Sequence, residues 1–286
     1  DVGFDPEFPS SFDDRCRVRV RNTTQLISLE AGDAGISPTQ WQREQYPEVY
    51  RRHIKVIHDG IRSDLVCPGE VSGFVLPEGR GTLRSGDEVL TYVARNLEPY
   101  RGFHTFMRAL PGVLAARPSV QVLIVGGDEV SYGRPLPGGG TYREHYLREL
   151  GSGIDRSRVH FLGKIPYARF LDVLRLSTAH VYLTYPFVLS WSLLEAMSCG
   201  CALIASNTAP VREVLQAGRN GLLVDFFSPD ALAATIISVL ADPVAMQPLR
   251  AKARRDIVDH FDLATRTLPR LVTLVSSLAA QGPAKH

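Results

Sequence analysis

The alternation of short apolar runs with amphipathic segments between residues 89 and 224 constrains the fold of this 286-residue chain most strongly. Short apolar runs that end in glycine or a polar residue are typical of buried strands. The segments between them, such as 102–117, carry apolar side chains at helical spacing. Strands that alternate with helices of this length predict βαβ units and a parallel sheet. The sequence therefore predicts an α/β chain with one Rossmann-like domain.

The predicted elements place several polar residues at one edge of this sheet. The predicted strands cover residues 89–93, 120–125, 159–162, 180–183, 202–205 and 221–224. The predicted helices cover 102–117, 142–150, 167–177, 190–198 and 210–216, and helices dominate after residue 224. Ligands of parallel sheets bind at the carboxyl ends of strands, near helix N-termini. Arg95, Gly126, Gly163 and Ser190 fall at such ends.

The first 66 residues have a different pattern. Four arginines, at 15, 17, 19 and 21, alternate with apolar residues, which predicts a strand with one basic face. That face is either a solvated strand edge or a contact for an anionic partner such as a phospholipid. A short helix is predicted from Ser37 through Trp41 to Tyr46, and a strand at Ile54–Ile57. The segment Pro68–Glu88 is predicted to be a linker or loose turn region.

Composition narrows the class of protein. The formal charge of +2 argues against non-specific nucleic-acid binding as the main activity. Cys199 and Cys201 are too close for the usual zinc pair and are interpreted as small buried residues, which fits a reducing, cytoplasmic setting. No run is long and apolar enough to span a bilayer. The acidic start without Met shows no signal peptide and predicts a fragment or a processed product.

Two arginines form the first candidate site. Arg95 follows a predicted strand, and Arg101 precedes Gly102 at the start of the next predicted helix. Guanidinium groups that converge near a strand end suit a diphosphate, because arginine is permanently charged and binds oxygen pairs in bidentate fashion. The alternative is that both are surface arginines without a ligand.

A second candidate site lies in the segment 187–197. A predicted strand leads through Tyr185 into a helix that begins near Ser190, and the free N–H groups at such a helix start bind phosphate. Glu195 lies one turn into this helix, where its carboxylate could accept hydrogen bonds from a ribose diol. Alternatively, Ser192 and Glu195 form a capping box. The sequence leaves both roles open.

The order of motifs resembles the retaining GT-B glycosyltransferases of family 4, the glycosyl transferases group 1. Six segments carry the resemblance: Tyr92–Arg95 with Arg101-Gly102, Val122–Gly127, Val159–Gly163, Leu193–Met197, Pro210–Val214 and Asn220–Val224. Each is short, but together they cover residues 89 to about 242 in the family's order. The segment 37–61 also resembles the end of that family's first domain.

The resemblance implies a role for each matching residue. Arg95 and Arg101 match the basic pair that holds the donor diphosphate, and Ser190 and Trp191 stand where backbone N–H groups meet the phosphate. Glu195 matches the ribose-binding Glu of the family. The residues that match the loop bordering the base are Leu162, Gly163 and Lys164. Phe187, Val188 and Leu189 lie on the donor-sugar side, and Phe187 replaces a Glu that relatives usually have there.

The resemblance also implies an organisation and a reaction. We expect residues 1–66 to be a remnant of an acceptor-side domain with its linker, 67–262 to be the nucleotide-sugar-binding domain, and 263–286 to be a C-terminal helix and tail. The implied reaction is retaining transfer of a sugar from a nucleotide diphosphate sugar to a saccharide or lipid-linked acceptor. No metal or other cofactor is expected, because arginines and a helix start would neutralise the diphosphate. With so short a first domain, we expect the fragment alone to transfer sugar poorly.

Two other functions and several partners stay open at this point. A nucleotide-sugar-binding or scaffolding module without turnover would also fit, given Phe187. A dinucleotide-dependent oxidoreductase fits less well, because no Gly-x-Gly-x-x-Gly pattern follows Val125. The expected location is the cytoplasm, with peripheral contact at the inner face of a membrane left open. Self-association through an apolar surface around Trp41 and Tyr46 is a further expectation.

Overall fold

The computed structural model describes residues 3–281, and its first element is a long helix, α1 (Phe12–Ala31). A capping box begins this helix: Ser11 Oγ accepts from the N–H of Asp14, whose carboxylate accepts from the N–H of Ser11 at 2.7 Å. The strand predicted around Arg15–Arg21 is therefore wrong. No residue of α1 is buried, so no core imposes a helical period on its sequence, and the alternation of arginines carries no structural information.

A small parallel sheet follows α1. Its two strands, β1 (Gly35–Ser37) and β2 (Ile54–Val56), are joined by α2 (Gln40–Glu44) and α3 (Glu48–Arg51). The predicted short helix and the strand at Ile54 are confirmed, but the helix begins at Gln40 with Thr39 as its N-cap, because Ser37 belongs to β1. Both oxygens of Glu213, far along the chain, accept hydrogen bonds at the start of α2, from the N–H of Gln40 (2.5 Å) and of Trp41 (2.8 Å). This carboxylate is one of several contacts that join the first segment to the rest of the chain.

Replacing this carboxylate should loosen α2 without unfolding the chain. In Glu213→Gln the amide nitrogen would face one of the two N–H groups, and we expect a cost of about 1 kcal/mol, typical of a lost helix cap. Hydrogen exchange at the amides of Gln40 and Trp41 should become faster while exchange in the main sheet stays unchanged. Equal protection of both amides in the variant would contradict this role for Glu213.

The predicted linker, 68–88, contains a hairpin. Its antiparallel strands are β3 (Phe74–Val75) and β4 (Thr82–Leu83). Phe74 and Leu83 are buried in a cluster with Val89 and Leu123 of the main sheet. The interpretation of this segment as a loose turn region is therefore wrong for these strands, because the hairpin covers one face of the sheet.

The main sheet has six parallel strands. They are β5 (Val89–Asn96), β6 (Gln121–Gly127), β7 (Val159–Gly163), β8 (Ala179–Tyr182), β9 (Leu203–Ser206) and β10 (Leu222–Val224). Their spatial order is β10-β9-β8-β5-β6-β7, so the chain winds outward in one direction from β5 and in the other from β8. Ligands of such sheets bind where the winding direction reverses. The carboxyl ends of β5 and β8 are thus the expected binding position.

Helices cover both faces of this sheet. They are α4 (Phe103–Ala116), α5 (Tyr142–Leu150), α6 (Tyr167–Leu176), α7 (Trp191–Ser198), α8 (Ala209–Arg212), α9 (Pro229–Ala241) and α10 (Gln247–His260). A further helix, α11 (Leu268–Gln281), buries no residue and lies outside this packing. Residues of α4, α5 and α9 join one buried cluster, and residues of α6, α7 and α10 join another. Neighbouring strand residues alternate between the two: Ile204 belongs to the first and Leu203 to the second. The predicted α/β fold class is confirmed.

Three local predictions need comment. Helix α8 ends at Arg212, before the predicted residue 216, because the N–H of Gln216 donates to the side chain of Asn220 (2.7 Å) instead of continuing the helix. Cys199 and Cys201 are buried, as expected of small core residues, and burial raises the pKa of Cys199 to about 12. The last five residues of the predicted tail, 282–286, lie outside the described part of the chain.

The exposed apolar side chains do not lie where the sequence predicted them. Trp41 and Tyr46 are partly buried. Two groups of exposed ones lie instead on the outer helices: Phe12, Val20 and Ile27 on α1, and Leu268, Val272 and Val275 on α11. The expectation of an apolar surface around Trp41 and Tyr46 is therefore wrong in its position.

Candidate functional site

Tyr182 links the two predicted phosphate-binding segments at the end of β8. Its side chain is buried, and its hydroxyl accepts a hydrogen bond from Nη1 of Arg101 (3.1 Å) and another from the backbone N–H of Ser190 (3.0 Å). Because β8 and β5 are neighbours in the sheet, the loops that follow them meet here. The two segments that the sequence singled out separately are therefore parts of one site.

Arg101 is held firmly within this site. Its side chain is 7% exposed, and Nη1 also donates to Thr184 Oγ1 (2.9 Å) and to the carbonyl of Val188 (3.4 Å). Among residues 3–281, Nε and Nη2 of Arg101 have no hydrogen-bond partner, so these donors remain for a ligand. Arg95 differs: its side chain is exposed and forms no hydrogen bond or ion pair with the described residues. Of the predicted pair, Arg101 is therefore held in position by hydrogen bonds, whereas the side chain of Arg95 is not held by any described residue.

The start of α7 offers one backbone donor. Ser190 caps this helix, and its Oγ accepts from the N–H of Ser192 at 3.3 Å. Since the N–H of Ser190 is taken by Tyr182, the N–H of Trp191 is the first at this helix start without a partner in the described chain. The Trp191 ring is exposed, and its Nε1 donates to Asp59 Oδ2 (2.8 Å) in the segment before the hairpin. Trp191 therefore joins the predicted phosphate position to the first part of the chain.

Glu195 lies in α7 with its carboxylate bonded to a side chain rather than to the helix start. Tyr167 donates its hydroxyl hydrogen to Glu195 Oε1 (2.6 Å), and Ser190 rather than Ser192 is the N-cap. The alternative of a capping box formed by Ser192 and Glu195 is therefore wrong. Burial raises the pKa of Glu195, and the hydrogen bond from Tyr167 opposes this only in part. A further hydrogen-bond donor from a ligand would therefore stabilise the ionised form of this carboxylate.

The residues predicted to border the base lie at the end of β7. Gly163 has a φ of +64°, a left-handed conformation that glycine adopts without strain. Lys164 is exposed and forms an ion pair with Glu129, and the methylene carbon Cε of Lys164 lies against Gly127, where a Cβ would be 2.6 Å from it. Leu162 is half-buried. Because β6 lies between β5 and β7, these three residues are two strands away from the segment that carries Arg101.

Phe187, Val188 and Leu189 lie in the loop between β8 and α7. Phe187 is partly exposed beside Arg101, with the guanidinium carbon 5.7 Å from its ring centroid, while Leu189 is buried in the core. Sequence reasoning missed Tyr182, Thr184 and Tyr167, which hold the predicted site residues in place. The signal for the first two was present, since Tyr182 is the last residue of β8 and Thr184 follows two residues later, at the carboxyl end of a strand.

Comparison with known proteins identifies the family. Residues 78–256 match the family model described as glycosyl transferases group 1. The chain belongs to this family. Its residues 1–66 match a second model, the glycosyl transferase family 4 group. The resemblance inferred from the six sequence motifs is thereby confirmed.

Several bacterial glycosyltransferases are similar to this chain in sequence. The D-inositol 3-phosphate glycosyltransferase of Rhodococcus opacus (strain B4) is 30% identical over 206 residues, which are 69% of this chain and 44% of the relative. The phosphatidyl-myo-inositol mannosyltransferase of Mycolicibacterium smegmatis is 34% identical over 167 residues, 57% of this chain and 38% of the relative. The chain thus spans less than half the length of these curated relatives.

Solved structures of GT-B glycosyltransferases share the fold. Sucrose-phosphate synthase from Thermosynechococcus elongatus has a TM-score of 0.71 at 23% identity, covering 92% of this chain and 63% of its own. The Anabaena protein HepE, in complex with UDP and glucose, has a TM-score of 0.66 at 20% identity, covering 86% and 64%. At these identities the likeness concerns the fold alone.

Two further features bear on the expected surroundings of the site. Within residues 3–281, no helix combines the length and apolar character that crossing a bilayer requires. In the same part of the chain, no three His, Cys, Asp or Glu side chains converge as ligands for a metal ion.

Proposed function

We propose that this chain is the donor-binding part of a retaining glycosyltransferase that takes a sugar from a nucleotide diphosphate sugar. The observation that carries the proposal is the network of Arg101, Tyr182 and Ser190 at the reversal point of the sheet. It leaves Nε and Nη2 of Arg101 and the N–H of Trp191 as donors at one place. Such donors bind a diphosphate and stabilise it as it leaves.

Each group in the site has a role in this proposal. Arg101, the exposed Arg95 and the start of α7 neutralise the charge that develops on the leaving diphosphate, so the reaction needs no metal ion or other cofactor. Glu195 accepts hydrogen bonds from the ribose, and the loop at Gly163 borders the base. The acceptor is a saccharide or a lipid-linked polyol. The relative named for phosphatidyl-myo-inositol supports the lipid-linked kind, and the relative named for D-inositol 3-phosphate supports a polyol without a lipid.

The cellular setting follows from that acceptor class. A lipid-linked acceptor would bring the protein to the inner face of the cytoplasmic membrane as a peripheral component. We also propose that the chain divides into domains at residues 66 and 262. Self-association through the first segment is a further part of the proposal. A binding module without turnover is the second candidate, favoured by Phe187, which cannot act as a carboxylate.

Calorimetric titration with UDP, GDP and ADP, each with and without an attached sugar, tests the proposal. We expect saturable binding of one nucleotide, stronger with its sugar attached. Titration with NAD serves as the control, since an oxidoreductase would bind it and this site should not. If none of the nucleotides binds to the folded protein, the proposed donor site is wrong. If the gene product binds donor but transfers no sugar to any acceptor offered, the binding-module alternative is correct.

A further inference from the structure

The loop between β6 and α5 is held to the candidate site by a buried carboxylate. Glu98 is completely buried, and its two oxygens accept the backbone N–H groups of Ser131 (3.1 Å), Tyr132 (3.2 Å) and Gly133 (2.7 Å). Burying a carboxylate without hydrogen-bond donors costs a large free energy. The three N–H groups are therefore kept on Glu98, and this determines the path of the loop. Glu98 lies three residues before Arg101, so loop and guanidinium are positioned by the same short segment.

The loop brings an aromatic ring to the donor site. The ring of Tyr132 lies 4.8 Å from that of Phe187, centroid to centroid, and the rings of Phe187 and Tyr100 are nearly perpendicular at 5.6 Å. The guanidinium carbon of Arg101 is 5.5 Å from the Tyr132 centroid and 5.7 Å from the Phe187 centroid. Tyr132 remains 38% exposed, and Phe187 is also partly exposed. The two rings thus form an open aromatic surface beside the unpaired donors of Arg101.

We propose that Tyr132 and Phe187 form the wall that contacts the sugar ring of the donor, and that Glu98 is the positioning residue that holds Tyr132 in this wall. The proposal rests on the proposed function, because it places the diphosphate at Arg101. The transferred sugar is bonded directly to that diphosphate, so a ring that flanks the guanidinium lies within reach of the sugar. The electron-rich face of an aromatic ring attracts the C–H groups of a pyranose face. The proposed contact therefore selects nucleoside diphosphate sugars whose pyranose ring presents an apolar face to the two rings.

The contribution of the two rings to sugar binding can be measured as the difference in affinity between a nucleotide sugar and its nucleoside diphosphate. Tyr132→Ala should weaken binding of the nucleotide sugar about three- to tenfold, as expected for one lost aromatic contact, and leave binding of the nucleoside diphosphate within about twofold. Tyr132→Phe keeps the ring and should bind both ligands like the unchanged protein. These measurements use the nucleotide that the unchanged chain binds best among UDP, GDP and ADP.

Glu98→Gln tests the positioning role. One oxygen becomes an amide nitrogen that cannot accept from an N–H group, so part of the loop loses its anchor. We expect faster hydrogen exchange at Tyr132 and Gly133 and the same selective loss of nucleotide-sugar affinity as in Tyr132→Ala. Glu78→Gln is the matched control, since Glu78 is an exposed glutamate in the β3–β4 hairpin, paired with Arg80, and should change neither readout.

The outcomes separate this proposal from the proposed function. If the nucleoside diphosphate does not bind the unchanged protein, the proposed function fails. If it binds and Tyr132→Ala leaves the difference between the two ligands unchanged, the aromatic wall is wrong while the donor site stands. If Tyr132→Ala instead strengthens binding of the nucleoside diphosphate, Tyr132 blocks access to Arg101 in the ligand-free chain. The proposed contact of Tyr132 with the sugar is then also wrong. Faster loop exchange in Glu98→Gln without loss of nucleotide-sugar affinity would reduce Glu98 to a purely structural role.

Discussion

Arg101→Ala should weaken nucleoside diphosphate binding about tenfold to a hundredfold and should also destabilise the folded chain. The affinity loss corresponds to about 1.5–3 kcal/mol, the usual contribution of a hydrogen bond to a charged group. The loss of stability has a separate cause, because the hydroxyl of Thr184 is buried and would lose its donor, while that of Tyr182 would keep only the N–H of Ser190. An unsatisfied buried hydroxyl costs about 1–3 kcal/mol.

Arg95→Ala is the matched comparison for this prediction. Because the Arg95 side chain is exposed and has no partner in the described chain, its removal should reduce affinity without changing the melting temperature. Arg101→Lys keeps the charge but offers fewer donors, so we expect an affinity between those of the alanine variant and the unchanged protein. Calorimetry and thermal melting of all three variants give both quantities. Unchanged nucleotide affinity in a folded Arg95→Ala, Arg101→Ala double variant would show that no diphosphate binds here.

The main sheet could be predicted because its strands are buried on both faces. The run Val122–Val125 is continuously apolar, and two glycines follow it at the sheet edge, so even a short segment carries a clear signal. Helix α1 could not be predicted in this way. It buries no residue, so its sequence has no hydrophobic period, and its one reliable signal was local: Ser11 with Asp14 three residues later.

The candidate site was predictable only in part, for a related reason. Arg101 and Ser190 follow strands, and the position of a strand end can be derived from the sequence. The path of a loop cannot: Glu98 binds backbone N–H groups, which every residue except proline offers, so nothing in the sequence selects 131–133 as its partners. The contact of Tyr132 with Phe187 depends on that path. Sequence reasoning therefore found the groups on regular elements and missed those that a loop brings in.

Nucleotide affinity should depend on pH through Glu195 if this residue binds ribose. Burial raises the pKa of Glu195 in the folded chain, and the hydrogen bond from Tyr167 opposes that effect only in part. Ribose hydroxyls donate to the ionised carboxylate, so affinity should be complete above the raised pKa and fall as the pH decreases through it. Stability of the ligand-free protein should change in the opposite sense. A carboxyl whose folded pKa is raised loses stabilising free energy as the pH rises from its unfolded pKa to its folded pKa.

Glu195→Gln separates this role from a purely structural one. The amide cannot ionise, so the pH dependence of nucleotide binding should disappear, and affinity at neutral pH should fall about tenfold or more, as expected for a lost hydrogen bond to a charged group. The melting temperature at neutral pH should stay the same or rise, because a buried charge has been removed. Tyr167→Phe is the matched variant: without its hydroxyl the pKa of Glu195 should rise further, and the pH midpoint of binding should move up with it. A lower melting temperature of Glu195→Gln with unaltered nucleotide affinity would mean that this carboxylate supports its helix and does not contact ribose.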